Sequence, residues 1–228
     1  MENKLLIPSS IILAGVIIAM AVVYVQMPRV MVQPPDSGKV AAPLLGASAL
    51  DALKIRQNDF TIGNPSAKVV VVEYGDFQCP FCGRFFETTE TQLRETYIKQ
   101  GKAVFVWRDF AFLGEESIRA SEAARCAGEQ GKFWEYHDKL FSSQNGENQG
   151  AFNDAKLKQF ASALGLKTTA FASCFDSNKY RASVLKDTEE GKVVGVSGTP
   201  TTFVNGEIVH GAVVYDTFKN MIERELAK

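Results

Sequence analysis

The chain has 228 residues and a net charge of -1 at pH 7. This length allows one sizeable hydrophobic core, and the near-neutral charge gives no electrostatic basis for binding nucleic acid. Its four cysteines are too few for a disulfide-built fold of this size, and the even count suits one catalytic pair and one structural pair.

The N-terminus contains a long apolar segment. Residues Leu5 to Met27 carry no charged side chain, and Ile11 to Val25 is an unbroken apolar run. With Leu5 to Ile7, this run approaches the roughly 20 residues that span a bilayer, and no clear cleavage site closes it. We predict an uncleaved signal anchor over residues 1–27, which is a single transmembrane helix in the cell membrane. A cleaved signal peptide is the alternative, and both place the remaining chain on the extracytoplasmic side.

Residues 28–57 are predicted to be a linker, because four prolines interrupt small and polar residues that show little periodicity. The helical spacing of Leu50 and Leu53 predicts a short helix between Ser48 and Arg56. The linker holds a folded domain, residues 58–228, near the membrane.

The predicted domain alternates strands and helices. Four consecutive valines, Val69 to Val72, indicate a strand that is covered on both faces. Asn205-Gly206 is a strong signal for a β-hairpin. In chain order we predict strands over 58–63 and 68–74, a helix over 80–99, a strand over 103–108, a helical block over 115–194, strands over 201–204 and 207–210, and a helix over 215–227.

This order predicts an α/β fold. A strand-helix-strand unit implies parallel neighbours, whereas the hairpin adds antiparallel strands. We therefore expect a mixed central sheet flanked by helices, with a helical insertion over about residues 115–194. Arg108 and Asp109 end the third strand and are predicted to form a local ion pair at the surface.

The strongest chemical signal is Cys79-Pro80-Phe81-Cys82, which follows a buried strand and opens a helix. Two thiols three residues apart at a helix start form a redox site in an oxidising compartment. The partial positive charge of the helix N-terminus favours a thiolate at Cys79, so Cys79 is the predicted nucleophile and Cys82 the resolving thiol. Half of a zinc site or an inert bridge are the alternatives. No second CxxC or CxxH follows at zinc-finger spacing, so we predict no metal site.

Two carboxylates precede this pair. Glu73 interrupts the apolar strand, where a charge is costly unless it is solvated, paired or protonated. We interpret it as a buried acid that exchanges protons with Cys82 through water; a solvent-facing residue at the strand end is the alternative. Asp76 is a further possible proton shuttle, or a charge that opposes the thiolate.

Gly198-Thr199-Pro200-Thr201 leads into the hairpin. A proline here lies at the first position of a strand, where it is tolerated. A cis-proline loop beside the cysteines, with backbone left free to receive an extended substrate peptide, is one interpretation. An ordinary trans turn proline is the other.

Cys126 and Cys174 lie 48 residues apart in the helical block, each on an apolar face. A structural disulfide that joins two helices is the favoured interpretation. Two buried free thiols, or a pair that relays electrons to the first pair, are the alternatives.

Taken together, these motifs resemble the DsbA-like thiol:disulfide oxidoreductases of the thioredoxin superfamily, especially the membrane-anchored forms. The resemblance covers residues 58–228 and rests on residues 73–82, on the alanine-rich segment 120–131 followed by Phe133-Trp134, and on residues 198–206. It implies a thioredoxin-like fold, a cis Pro200, a Thr199 backbone that binds substrate, and Glu73 as the buried acid. It also implies no cofactor, reduced or unfolded exported proteins as substrates, and a membrane-embedded quinone-linked thiol oxidase as partner.

One position departs from the best-known members of that family, which carry histidine before the second cysteine. Here Phe81 stands there, and an apolar ring neither donates a hydrogen bond nor supplies charge. We therefore expect an oxidant that is weaker than a histidine variant. Pro80 and Phe81 are also expected to contact substrate.

The sequence leaves the direction of electron flow open. Our hypothesis is an extracytoplasmic enzyme that introduces disulfides into exported proteins. A disulfide reductase or isomerase with the same site is the first alternative. A peptide-binding holdase, in which the cysteines are only structural, is the second.

Overall fold

The computed structural model describes residues 47–228 of the chain. The signal anchor predicted over residues 1–27, and the linker as far as residue 46, lie outside this range. Within residues 47–228, no helix combines the length and the hydrophobicity that crossing a lipid bilayer requires. The end of the predicted linker contains a short helix, Ala47–Ala52.

A five-stranded mixed sheet forms the centre of the domain. In chain order its strands are β1 (Phe60–Gly63), β2 (Val69–Gly75), β3 (Ala103–Asp109), β4 (Thr201–Val204) and β5 (Glu207–His210). Their spatial order is β1-β3-β2-β4-β5, with β2 and β3 parallel and the other neighbours antiparallel. The valine-rich strand β2 therefore lies in the middle, where helices cover both faces.

One face of the sheet is covered by a helical run over residues 80–98 and by the C-terminal helix Tyr215–Leu226. Phe85 of the first and Phe218 of the second pack in one core with Val71 of β2. The run consists of the segments Pro80–Phe85, Phe86–Glu90, Thr91–Leu93 and Arg94–Ile98, of which the second and fourth have π-helical hydrogen bonding.

Five helices lie between β3 and β4 and form the predicted insertion. They are Glu115–Gly128, Phe133–Phe141, Asp154–Ala163, Thr168–Asp176 and Arg181–Val193. The side chain of Asn153 caps the third by accepting a hydrogen bond from the Lys156 N–H. The prediction of an α/β fold with a mixed sheet and a helical insertion is confirmed.

The alternation of side chains along β2 places Glu73. Val71 faces the helical run 80–98, whereas Val72 and Tyr74 pack in a separate core with Phe203. Because successive residues of a strand point to opposite faces, Glu73 faces the same side as Val71. Strand geometry thus brings a carboxyl group beneath the helix that begins at Pro80.

The prediction that Arg108 and Asp109 form a local surface pair is wrong. Both are buried, and as neighbours on a strand they point to opposite faces of the sheet. Arg108 pairs with Asp59 at 2.8 Å and donates to the carbonyl oxygen of Lys54 at 2.7 Å, whereas Asp109 accepts from Arg125 at 2.6 Å. Arg108 therefore fastens the end of the predicted linker to the domain.

Candidate active site

The two cysteines of the CxxC sequence lie between the end of β2 and the first turn of helix Pro80–Phe85. Cys79 is the N-cap residue of this helix and has extended backbone angles. Pro80 occupies the first turn, where its missing N–H has no partner to lose. Both cysteines are free thiols; Cys79 keeps 4% of its surface exposed, and Cys82 is fully enclosed. Cys79 is therefore the outer thiol of the pair.

The surroundings of Cys79 make its thiol unusually acidic. The thiolate accepts hydrogen bonds from the Cys82 thiol, from Thr199 and from the backbone N–H groups of Cys82 and Phe81, and these outweigh the cost of burial. They lower the pKa of Cys79 to about 6. Donors gathered at the start of a helix thus make Cys79 a nucleophilic thiolate at neutral pH.

The environment of Cys82 has the opposite effect on the pKa of its thiol. Burial, the hydrogen bond to Cys79 and the charge of Glu73 raise the pKa of Cys82 well above its ordinary value. At neutral pH one thiol of the pair is ionised and the other is protonated. This asymmetry suits a nucleophile with a buried partner that must exchange a proton whenever it forms or breaks a bond.

Glu73 is fully buried on β2, between Trp107 of β3 and Thr202 of β4. Among residues 47–228, neither of its carboxyl oxygens has a hydrogen-bond partner. Burial, followed by the charge of Glu90, raises the pKa of Glu73 well above its ordinary value, although Arg94 opposes the rise. The alternative of a solvent-facing carboxylate does not fit this burial. The site favours a protonated acid that can give or take a proton.

The loop before β4 lies against the cysteines because β4 pairs with β2. Its Thr199-Pro200 peptide bond is cis. The Cys79 thiol donates to the carbonyl oxygen of Thr199 at 3.4 Å. The Thr199 hydroxyl is buried and has no other partner among the described residues, so it is available to donate to the Cys79 thiolate.

Pro80 and Phe81 form the outer rim of the site. Phe81 exposes 52% of its surface, and the guanidinium of Arg84 lies 5.0 Å from the centre of its ring. The neighbouring Phe77 and Phe85 are fully buried and belong to the core. Phe81 can therefore offer apolar contact to a substrate, but no hydrogen bond to Cys79 from its side chain.

Cys126 and Cys174 are joined by a disulfide with a sulfur–sulfur distance of 2.03 Å. The bond connects helices Glu115–Gly128 and Thr168–Asp176 of the insertion, and both cysteines are buried. This geometry fits a structural bridge rather than two free thiols.

The sequence did not predict the polar contacts that hold residues 76–79, which we call the reactive turn. The buried carboxylate of Asp76 accepts from the Gln78 N–H at 2.8 Å, from the Ser117 hydroxyl at 2.6 Å and from two N–H groups of the loop after β3. Burial raises the pKa of Asp76, and these hydrogen bonds oppose the rise. Asp76 organises the turn, a role that its place three residues before Cys79 could have suggested.

The sequence also did not predict a buried ion pair near Glu73. Arg94 binds Glu90 at 2.5 Å and Asp138 at 2.9 Å, and Glu90 is fully buried. Within the described part of the chain, no three His, Cys, Asp or Glu side chains form a cluster that could hold a metal ion.

Residues 56–224 match the family model described as Thioredoxin, and the chain belongs to this family. Disulfide bond formation protein D of Bacillus subtilis is 29% identical over 168 residues, which cover 72% of this chain and 76% of that protein. The crystal structure of oxidised BdbD from Bacillus subtilis has a TM-score of 0.71 at 27% identity and covers 75% of this chain and 95% of its own. The predicted thioredoxin-like fold and the resemblance to DsbA-like oxidoreductases are confirmed.

The similarity extends to part of a much longer protein. Na(+)/H(+) antiporter NhaA 1 of Salinispora arenicola is 36% identical over 156 residues, which cover 68% of this chain but only 22% of the antiporter.

Proposed function

We propose that the chain is a thiol:disulfide oxidoreductase that introduces disulfides into exported proteins through Cys79 and Cys82. The observation that carries the proposal is the asymmetry of the pair: the pKa of Cys79 is lowered to about 6, while that of Cys82 is raised. A thiolate of low pKa is a good leaving group and stabilises the reduced protein, so the disulfide form tends to oxidise its substrates. The similarity to proteins named for disulfide bond formation supports the same reaction.

The reaction begins with the Cys79–Cys82 disulfide. A substrate thiolate attacks the sulfur of Cys79, the bond between the two cysteines breaks, and Cys82 leaves with the electron pair. A second thiolate of the same substrate then attacks the substrate sulfur of the mixed disulfide, and Cys79 leaves as a thiolate. The substrate loses two electrons and gains a disulfide, and the enzyme is left as a dithiol.

Glu73 supplies a proton in the first of these steps. Cys82 leaves as a thiolate in a buried environment that strongly favours its protonated form. The neutral carboxyl group of Glu73 is buried beneath the pair, and it can donate this proton through a water molecule. Because the pKa of Glu73 is raised in the dithiol form, its carboxyl group then regains a proton from solvent.

Substrate binding is proposed for the cis-proline loop and the rim. The Thr199 and Pro200 backbone lies beside Cys79 and can pair with an extended substrate chain. Pro80 and the exposed ring of Phe81 can contact apolar side chains of an unfolded substrate. Unfolded proteins expose extended backbone and apolar side chains, whereas folded proteins bury them.

The proposed location is the extracytoplasmic side of the cell membrane, with residues 1–27 as the anchor. The proposal is supported by the apolar run Ile11 to Val25 and by a disulfide between Cys126 and Cys174, a bond that persists in oxidising compartments. Turnover requires re-oxidation, for which a membrane-embedded quinone-linked thiol oxidase is the proposed partner.

The test is to trap the intermediate and to measure the direction of the reaction. The Cys82→Ala variant is first treated with oxidised glutathione, so that Cys79 carries a mixed disulfide with glutathione. A thiolate of a reduced substrate should then attack the Cys79 sulfur and release glutathione, and substrate mixed disulfides should accumulate through Cys79, whereas the control Cys79→Ala should form none. The oxidised parent should restore activity to a reduced, unfolded substrate enzyme. An absence of mixed disulfides would support the holdase instead, and a parent that reduces insulin but oxidises nothing would support a reductase.

A further inference from the structure

A loop of the helical insertion contacts the reactive turn directly. Residues 142–150, called the clamp loop below, connect helices Phe133–Phe141 and Asp154–Ala163. The Gln144 side-chain amide donates to the carbonyl oxygens of Phe77 at 2.7 Å and of Cys79 at 3.1 Å.

The clamp loop also binds Gln78, the residue between Phe77 and Cys79. The Asn148 N–H donates to the Gln78 side-chain oxygen at 2.6 Å, and the Gln78 amide donates to the Ser117 hydroxyl at 2.8 Å. The clamp loop thus contacts three consecutive residues, 77–79, that lead into the helix. Residues so far apart in the chain meet here because the insertion folds back over the CxxC turn.

Gly83, next to Cys82, marks how closely the loop approaches. Glycine inside a helix is destabilising relative to alanine, so its presence there needs a reason. A Cβ atom built on Gly83 would collide with the side-chain oxygen of Gln144. The glycine therefore leaves room for the Gln144 side chain against the first turn of the helix.

The contacts of Gln144 bear on the geometry around the Cys79 sulfur. The carbonyl oxygen of Cys79 also accepts the Gly83 N–H at 3.1 Å, which is the first hydrogen bond of the helix. By fixing the carbonyl groups of Phe77 and Cys79, the amide fixes the orientation of the turn whose N–H groups face the sulfur. Its two donors also offset the negative ends of these carbonyl dipoles beside the thiolate.

We propose that Gln144 is a positioning residue for Cys79, through which the helical insertion controls the reactivity of the redox pair. This inference rests on the proposed function, because it assigns Gln144 a part in setting the acidity of the reacting thiol. The Cys79 pKa of about 6 depends on backbone N–H groups of Phe81 and Cys82, which belong to the turn that Gln144 holds.

The experiment replaces Gln144 and titrates Cys79. Gln144→Met keeps the length of the side chain but removes both donors, and Gln144→Glu places an acceptor against two carbonyl oxygens. The controls are Gln149→Met and Gln149→Glu, because Gln149 is exposed in the same loop and contacts the Glu147 carbonyl. Thiolate absorbance of the reduced full-length protein against pH gives the Cys79 pKa, and equilibrium with glutathione gives the stability of the disulfide. Far-ultraviolet circular dichroism and thermal melting report the fold.

We expect the Cys79 pKa to rise by about half a unit to one unit in Gln144→Met and by more in Gln144→Glu. Both variants should also become weaker oxidants, and the Gln149 controls should match the parent. A folded Gln144→Met protein with the parent pKa overturns the inference. So does the loss of fold in both Gln144 variants, because the residue then serves stability alone. An ordinary pKa in the parent itself refutes the proposed function, so the two failures can be told apart.

Discussion

The acidity of Cys79 predicts how the stability of the reduced protein depends on pH. A thiol whose pKa is lowered by folding stabilises the folded state at pH values above its unfolded pKa. This contribution is lost as the pH falls through the folded pKa. Cys79→Ser removes the titrating group at this position. Serine can also act as a helix N-cap, but that effect does not depend on pH and shifts all values equally.

The magnitude follows from the lowering of the Cys79 pKa from 9.0 to about 6. Linkage then gives a thiolate contribution to the free energy of unfolding of about 0.1 kcal/mol at pH 5, about 1.4 kcal/mol at pH 7 and about 2.7 kcal/mol at pH 8. The reduced parent should therefore gain about 1.3 kcal/mol over Cys79→Ser between pH 5 and pH 7.

The assay is urea unfolding of both proteins in excess reductant at these pH values. The reductant treats Cys126 and Cys174 alike in both proteins, and the titrating groups that do not interact with Cys79 cancel in the difference. The oxidised parent is the control, because its joined sulfurs no longer titrate and this gain should be missing from its pH profile. A difference between parent and variant that stays constant from pH 5 to pH 8 refutes the reasoning.

Three further predictions test other parts of the site. Phe81→His should raise the reduction potential by about 30 mV for each unit that it lowers the Cys79 pKa, and an unchanged or lower potential in glutathione equilibrium contradicts this. Glu73→Gln should raise the free energy of unfolding in urea at pH 7, because a carboxyl group whose pKa is raised by folding destabilises the folded state once the pH exceeds its pKa in the unfolded chain. This increase should vanish below about pH 4, and an increase that persists there contradicts a neutral buried Glu73. Replacing Cys126 and Cys174 together by alanine should cost about 4 kcal/mol for a loop of this length, and a loss under about 1 kcal/mol argues against a structural role.

The features that the sequence predicts well are those with a local pattern. The valine run of β2 announces a strand covered on both faces, and Asn205-Gly206 announces the hairpin of β4 and β5. The CxxC sequence predicts a redox site because strand, turn, proline and helix follow one another without a gap. The burial of Glu73 is predicted for the same reason, because a single carboxylate interrupts an apolar strand, and the structure buries it fully.

The contacts that the sequence does not predict join residues far apart in the chain. The position of Arg108 at the end of a strand predicts a surface residue, but Arg108 is buried and pairs with Asp59. Glu90 and Arg94 lie on the helical run 80–98, where Glu87 and Glu95 are exposed, yet Glu90 is fully buried near Glu73. Local periodicity carries no information on such partners.

The contact between the clamp loop and the active site is likewise not predicted by the local sequence pattern. Gln144 lies 65 residues after Cys79, in a polar segment without periodic pattern, and its amide reaches the Cys79 carbonyl. The one local trace of this contact is Gly83, a glycine placed inside a helix. An unexplained glycine next to a reactive residue is thus a useful sign that another segment approaches there.

The most direct measurement is the rate at which iodoacetamide alkylates Cys79 in the reduced protein as a function of pH. The Cys82→Ala variant cannot serve for this titration, because Cys82 donates a hydrogen bond to the thiolate, so the site of alkylation is identified by peptide mapping of the parent. An inflection near pH 6, with Cys82 unmodified, is the predicted result. An inflection near pH 9, the ordinary value for a thiol, contradicts the account.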